Sequence, residues 1–284
     1  MKPNRTRLRM QVAVRHVRAI RLGLDDMYDI DQMLDDWFHL QDPVGNLDEN
    51  DRKKISTEMA RNWVHVQANK LDTERLNSAL ARLYADSWVL GTDLTTYEIA
   101  KAVGIKKAAP SKKQLVNSLQ IDWSKWRAGN RAAAALTNPP NGLKRLLDAR
   151  GVKIRGMGNT TLNRIGTRLA DALNQGLTRK QTAKLIEDIV NDPERALMIA
   201  GTEMSGAVVQ SSLDLYRDSG VEQVQWLVAD PCDECQENLD QSPIGIDEEW
   251  INGDPPVHPN CMCDIAPYVV DTGLWDYVYG DQSE

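Results

Sequence analysis

All four cysteines of this 284-residue chain lie in one segment, Cys232-Asp233-Glu234-Cys235 and then Cys261-Met262-Cys263 after a 25-residue excursion. One of the four histidines, His258, falls in the same stretch. Two close pairs of soft ligands read as the two halves of a metal clamp. Zinc takes thiolate or imidazole donors, usually four and tetrahedral, often paired in sequence so that one turn supplies two of them. The Cys-x-x-Cys pair has that spacing. The Cys-x-Cys pair is less usual, so His258 stands beside Cys263 as an alternative fourth ligand. The competing reading is a reduced, hydrogen-bonded turn in which His258-Pro259-Asn260 holds the loop. Paired spacing in a chain with no secretory signal favours structural zinc on Cys232, Cys235, Cys261 and Cys263, with His258 in reserve.

The same residues argue against catalysis. Pro231-Cys232-x-x-Cys235 matches half of the zinc deaminase signature, whose other half is His-x-Glu. The residues two places after the histidines are Arg18, Gln41, Gln67 and Asn260, so the general acid/base is missing. A closed four-ligand site would leave no position for a catalytic water. The chain is therefore read as a non-enzyme.

Charge divides the chain. No Lys or Arg follows Arg217, while 16 of the 41 acids do, leaving 34 bases against 25 acids before that point. A basic face toward a polyanion and an acidic face away from it would produce this pattern, as would two domains with different solvated surfaces. There is no apolar run near the ~20 residues that span a bilayer, so no membrane association is expected.

In chain order, residues 1–22 hold seven bases and no acid, and the interleaved valines and leucines predict a basic helix from about Arg7. Apolar spacing predicts helices through Met27–Leu40, about Asp48–Lys70, and from Asp72 through Leu90. Asp42-Pro43-Val44-Gly45 should break the first of these. A lysine-rich linker is expected at 101–113. After Asp122 comes an Ala-rich helix to Leu136, then the turn Asn138–Gly142. Residues 144–184 hold ten bases and two acids. Within them Gly151–Gly158 reads as a flexible basic loop that lacks the P-loop pattern. Arg150, Lys153, Arg155, Arg164, Arg168, Arg179 and Lys180 are the candidate DNA-facing residues, through phosphate contact that would be salt-sensitive. Thr178 should cap a helix through Val190. Asp192-Pro193-Glu194 should open another to about Asp218, stopped at Gly220. Gln223–Val228 alternates as a strand, and Asp264–Val270 should close the cysteine segment.

The order of features then becomes specific. A helix bearing Ile199-Ala200-Gly201-Thr202-Glu203, a strand ending in Trp226, Asp230-Pro231-Cys232-x-x-Cys235, Pro255-Pro256-Val257-His258-Pro259-Asn260-Cys261-Met262-Cys263 and a further strand together resemble the phage Mu F-like minor head protein family. The resemblance covers roughly residues 120–270 and is tight in 193–268. The family usually has Arg where this chain has Met262, and often Arg or Asn after the Thr-Glu pair, where this chain continues Met204-Ser205-Gly206. The resemblance implies a minor capsid component of a tailed bacteriophage. It would be a virion protein of the capsid interior and portal vertex, assembled in the host cytoplasm, acting in head morphogenesis, DNA packaging or genome ejection. The partners it implies are the portal protein, the major capsid or scaffolding protein and packaged double-stranded DNA, with the chain present in multiple copies. The rival reading is a zinc-containing DNA-binding or nuclease-like protein outside the virion.

The expected fold is mainly α, an elongated helical N-terminal region with a small zinc-stapled α+β C-terminal module. The expected segments are a basic arm (1–22), a helical docking region (23–120), the helical part of the Mu F-like domain (121–218), a Cys/His module (219–270) and an acidic tail (271–284).

Overall fold

The computed structural model describes residues 3–40, 48–101, 114, 117–118, 120–228 and 231–268. The expected break at 42–45, the lysine-rich stretch 102–113, Asp230, positions 269–270 of the closing strand and the acidic tail lie outside the described residues. The fold is mainly α with a small α+β C-terminal module. The helices are α1 (Arg5–Asp26), α2 (Ile30–His39), α3 (Glu49–Ala68), α4 (Glu74–Lys101), α5 (Asn130–Thr137), α6 (Asn141–Asn174), α7 (Arg179–Val190), α8 (Pro193–Asp218) and α9 (Asp233–Gln241). The strands are β1 (Gln223–Leu227), β2 (Ile244–Gly245) and β3 (Asp264–Tyr268).

The helix boundaries follow local chemistry. Thr178 and Gln181 form a reciprocal capping box at the start of α7, which satisfies two of its orphan amide donors. Asp192 accepts from the backbone N–H groups of Glu194 and Arg195 at 3.0 and 3.1 Å. Gly220, at φ 74°, ends α8, and the Val221 N–H reaches back to the Tyr216 carbonyl at 3.0 Å. A residue with a Cβ resists that left-handed turn.

The structure corrects one expectation. Gly151–Gly158 is not a loop but the middle of α6, a single 34-residue helix. Glycine weakens a helix by about 1 kcal/mol per site relative to alanine, but burial of this helix offsets that. Ile154, Leu162, Ile165 and Leu169 are all fully buried. Gly158 is itself used for a close approach, since a Cβ there would sit 2.6 Å from Leu71 Cδ1.

The chain divides into two compact units. One comprises Met1–His16, Ala81–Leu147 and Leu197–Glu284; the other comprises Val17–Leu80 and Asp148–Ala196. In the second unit Trp37 and Trp63 meet edge to face at 6.2 Å, and the Trp63 indole N–H donates to the Met33 carbonyl. Gly166 lets α6 approach Val64 and Ala60 of α3.

In the first unit α4 packs on α8 through small residues. A Cβ on Gly91 would lie 2.7 Å from the Val208 carbonyl oxygen. Thr92 and Thr95 share hydrogen bonds with Ser211 and Ser212 at 2.9 and 2.8 Å. The far end of α8 carries Val209, Leu213 and Tyr216 into a core with Val224, Trp226, Ile244, Trp250 and Ile265. The sheet has order β2-β1-β3, with both pairs antiparallel and Trp226 opposite Ile265. Val224 and Trp226 face inward on alternate positions of β1, as a half-covered antiparallel sheet requires.

Candidate metal centre

The cysteine module is built on that core. Cys232 is the N-cap of α9, which places Cys235 in its first turn. Asp233 and Glu234 share this turn, where the helix dipole favours acids. Asn238 is fully buried on α9 and ties the helix to the excursion: its amide donates to the Gly253 carbonyl at 3.1 Å and accepts the Asn252 N–H at 3.0 Å. The chain then returns through cis Pro255-Pro256. Gly206 of α8 makes room for it, a Cβ there being 3.3 Å from Pro256 Cδ.

The second ligand turn closes with the Cys261 N–H on the His258 carbonyl at 3.1 Å. Asn260 takes φ 63° at its corner, a conformation asparagine tolerates better than most residues. β3 begins directly after Cys263.

The two halves meet. Cys235 Sγ lies 3.4 Å from His258 Nε2 and 3.8 Å from Cys261 Sγ. Two trios lie within ligand range, Cys232–Cys235–His258 and Cys235–Cys261–Cys263, and Cys235 belongs to both. Tetrahedral zinc with ordinary bond lengths sets its donors about 3.8 Å apart for S···S and about 3.5 Å for S···N. The observed spacings fit that shell. No disulfide joins the four thiols. Cys235, Cys261 and Cys263 are buried and Cys232 is exposed. These five residues can hold a metal ion.

Electrostatics prepare the donors unequally. The Cys263 thiol, hydrogen-bonded to Cys261, leads the effects that hold Cys261 down to about 5. Burial pushes Cys235 up to about 11. The backbone N–H of Cys235 lowers the exposed Cys232. His258 Nδ1 lies 2.8 Å from the Pro259 carbonyl. A carbonyl only accepts, so Nδ1 carries the proton and Nε2 keeps its lone pair toward Cys235. The hydrogen bond to the Pro259 carbonyl also raises the His258 pKa.

Two features escaped the sequence reading. The first is Thr202 of α8, whose Oγ1 accepts the Asn260 N–H at 3.1 Å. The second is what the N-terminal helix meets. Arg5 and Arg9 both pair with the buried Asp264 carboxylate, at 2.7 and 3.2 Å. Arg5 also pairs with Glu98, which accepts the Tyr216 hydroxyl at 2.7 Å. Burial alone pushes the Asp264 carboxyl up, and the two guanidinium groups overcome it and hold it below the ordinary value. The four-residue spacing of Arg5 and Arg9 marks one helix face, but nothing in the sequence says what that face meets.

The basic candidates are spread differently. Lys153, Arg155, Arg164, Arg168, Arg179 and Lys180 are exposed, and Arg150 is half-buried. At ~100° per residue, Lys153, Arg164 and Arg168 fall within about 60° on α6, and Arg155 lies on the opposite side. Arg150 donates to Asn77 at 2.9 Å, Arg168 lies 4.0 Å from Asp171, and Arg179 pairs with Asp35.

Fold and site together define a mainly helical protein whose C-terminal α+β module is closed around a Cys/His cluster. Residues 163–266 match the family described as Phage Mu protein F like protein. This is the family whose motifs the sequence displays, and it suggests a phage head-morphogenesis protein. Comparison with curated proteins and with solved structures yields no match. Among the described residues no helix is long and apolar enough to cross a membrane.

Proposed function

We propose that this chain is a structural, non-catalytic minor protein of a tailed-phage head, associated with the portal vertex and inner capsid. The observation that carries this reading is the coincidence of the family match with one built unit. The Thr202-Glu203 motif of α8 and the His258-Pro259-Asn260 turn, far apart in sequence, are hydrogen-bonded to each other. In this reading the module is a rigid structural element closed by zinc. Cys235 and three of Cys232, His258, Cys261 and Cys263 hold the ion, and the metal supplies folding energy.

The helices supply the contacts to portal, capsid or scaffolding protein. The Lys153–Arg164–Arg168 face of α6 lies toward packaged double-stranded DNA, with Arg150, Arg179 and Lys180 on the same unit and Arg155, on the far side of the helix, contributing less. Co-sedimentation from infected-cell lysates tests the assignment. The protein should travel with heads or portal rings in multiple copies. Recovery only as a free DNA-binding species would reject the head reading and favour the rival one.

A further inference from the structure

The interior of the module contains a cation that the metal reading does not use. Arg9 is 1% exposed, and its guanidinium points at the backbone that carries the second cysteine pair. Nη1 and Nη2 lie 3.4 Å from the Cys263 carbonyl oxygen, Nη1 lies 3.5 Å from that of Met262, and the Asp264 carboxylate is 3.2 Å away. One planar fork therefore touches three consecutive residues, 262–264, of the ligand-bearing turn. Arginine can do this because its five N–H donors are fixed in a plane. Burying such a charge is costly unless it is paired and hydrogen-bonded. The Asp264 carboxylate and the two carbonyls meet that requirement at Nη1 and Nη2, while the buried Nε has no partner among the described residues, and Arg5 helps hold the carboxylate in place.

The consequence concerns ligand geometry. Cys263 leads directly into β3, and Cys261 lies two residues before it. The carbonyls that Arg9 engages set the peptide planes on both sides of Cys263. Metal centres depend on such outer contacts to orient their ligands. We propose that Arg9, carried on the N-terminal helix 254 residues away in sequence from Cys263, is a positioning residue of the metal centre. It holds Cys261 and Cys263 in the arrangement that presents both thiolates to the ion. The first turns of α1 are thereby part of the site. This inference rests on the metal reading above.

The test uses the full-length chain with Zn2+ and Co2+, titrated against a chromophoric chelator. Arg9→Met is expected to weaken metal binding about 10- to 100-fold, the usual effect of losing an outer-shell partner. It should also shift the thiolate-to-cobalt charge-transfer and d–d bands. Arg9→Lys, which keeps the charge but not the fork, should fall between Met and the unaltered chain in both readouts. Gly91→Ala, which perturbs the α4–α8 contact elsewhere in the same unit, should leave affinity and spectrum unchanged. Wild-type affinity and spectrum in folded Arg9→Met would overturn the proposal, and so would equal weakening by Gly91→Ala. If Arg9→Met does not fold, Arg9→Lys decides: looser binding with an altered spectrum supports the role, and wild-type behaviour rejects it. Failure of the unaltered chain to bind either ion rejects the metal centre itself, and the inference with it.

Discussion

The backbone N–H of Asn260 donates to Thr202 Oγ1 at 3.1 Å, joining the ligand turn to a helix 58 residues earlier. Thr202→Val keeps the shape and removes the acceptor. A net loss of about 0.5–1.5 kcal/mol is expected, as for one ordinary hydrogen bond. Thr202→Ser should retain most of the stability. Urea denaturation of the two variants side by side checks this, and equal midpoints would show that the bond contributes nothing.

The proposed metal centre predicts its own hierarchy. Cys235 is buried and shared by both trios, whereas Cys232 is exposed. Cys235→Ser should abolish stoichiometric zinc, and Cys232→Ser should only weaken it, because His258 remains in reach of Cys235. Purified protein assayed for zinc at near-zero stoichiometry would sink the assignment. Affinity should rise with pH through neutrality, since Cys235, held up to about 11, must lose its proton to bind.

Asp264 gives a pH dependence with a definite sign. Its folded pKa is depressed below the ordinary 3.8. Its stabilising contribution is present above about pH 4 and lost as the pH falls through the folded value. Asp264→Asn leaves Arg9 buried without its counter-charge and should destabilise by about 3–5 kcal/mol at pH 7. The penalty should shrink in acid, where the native carboxyl is itself protonated. Thermal melts from pH 7 to pH 2 measure both effects.

Two glycine substitutions on helices should act in opposite directions. Gly91→Ala drives a Cβ to 2.7 Å from the Val208 backbone oxygen and should lose about 1–3 kcal/mol, despite the better helix propensity. Gly156→Ala, with nothing within 4 Å of the new atom, should gain about 1 kcal/mol. A gain at Gly156 is what a helix at that position demands, and a loop would show little. Circular-dichroism melts of the two proteins separate the outcomes.

The basic face of α6 makes a directional prediction. Charge reversal at Lys153, Arg164 and Arg168 together should weaken DNA association strongly and lower its salt dependence. Arg155→Glu alone, on the far side of the helix, should have a smaller effect than Arg164→Glu alone. Equal losses in filter binding at two salt concentrations would reject a preferred face.

Local chemistry is written locally, which is why much of this protein was legible in advance. Capping residues, helix-stopping glycines and the alternation of Val224 and Trp226 act within a few positions, so Thr178, Asp192, Gly220 and β1 could be placed from residue type alone. Paired cysteines likewise announce a ligand set whatever the fold. What the sequence could not supply was any relationship between distant segments. Gly151–Gly158 contains three glycines and the β-branched Val152 and Ile154, all weaker helix formers, and burial of Ile154 and its neighbours offsets that cost. Arg5 and Arg9 read only as part of a basic arm with no identifiable partner, because Asp264 stands at the other end of the chain. The five candidate metal donors were visible in the sequence. Their convergence on Cys235, the Thr202 anchor and the buried guanidinium behind Cys263 were decided by packing, because a buried charge or turn is stable only where another segment supplies its partner.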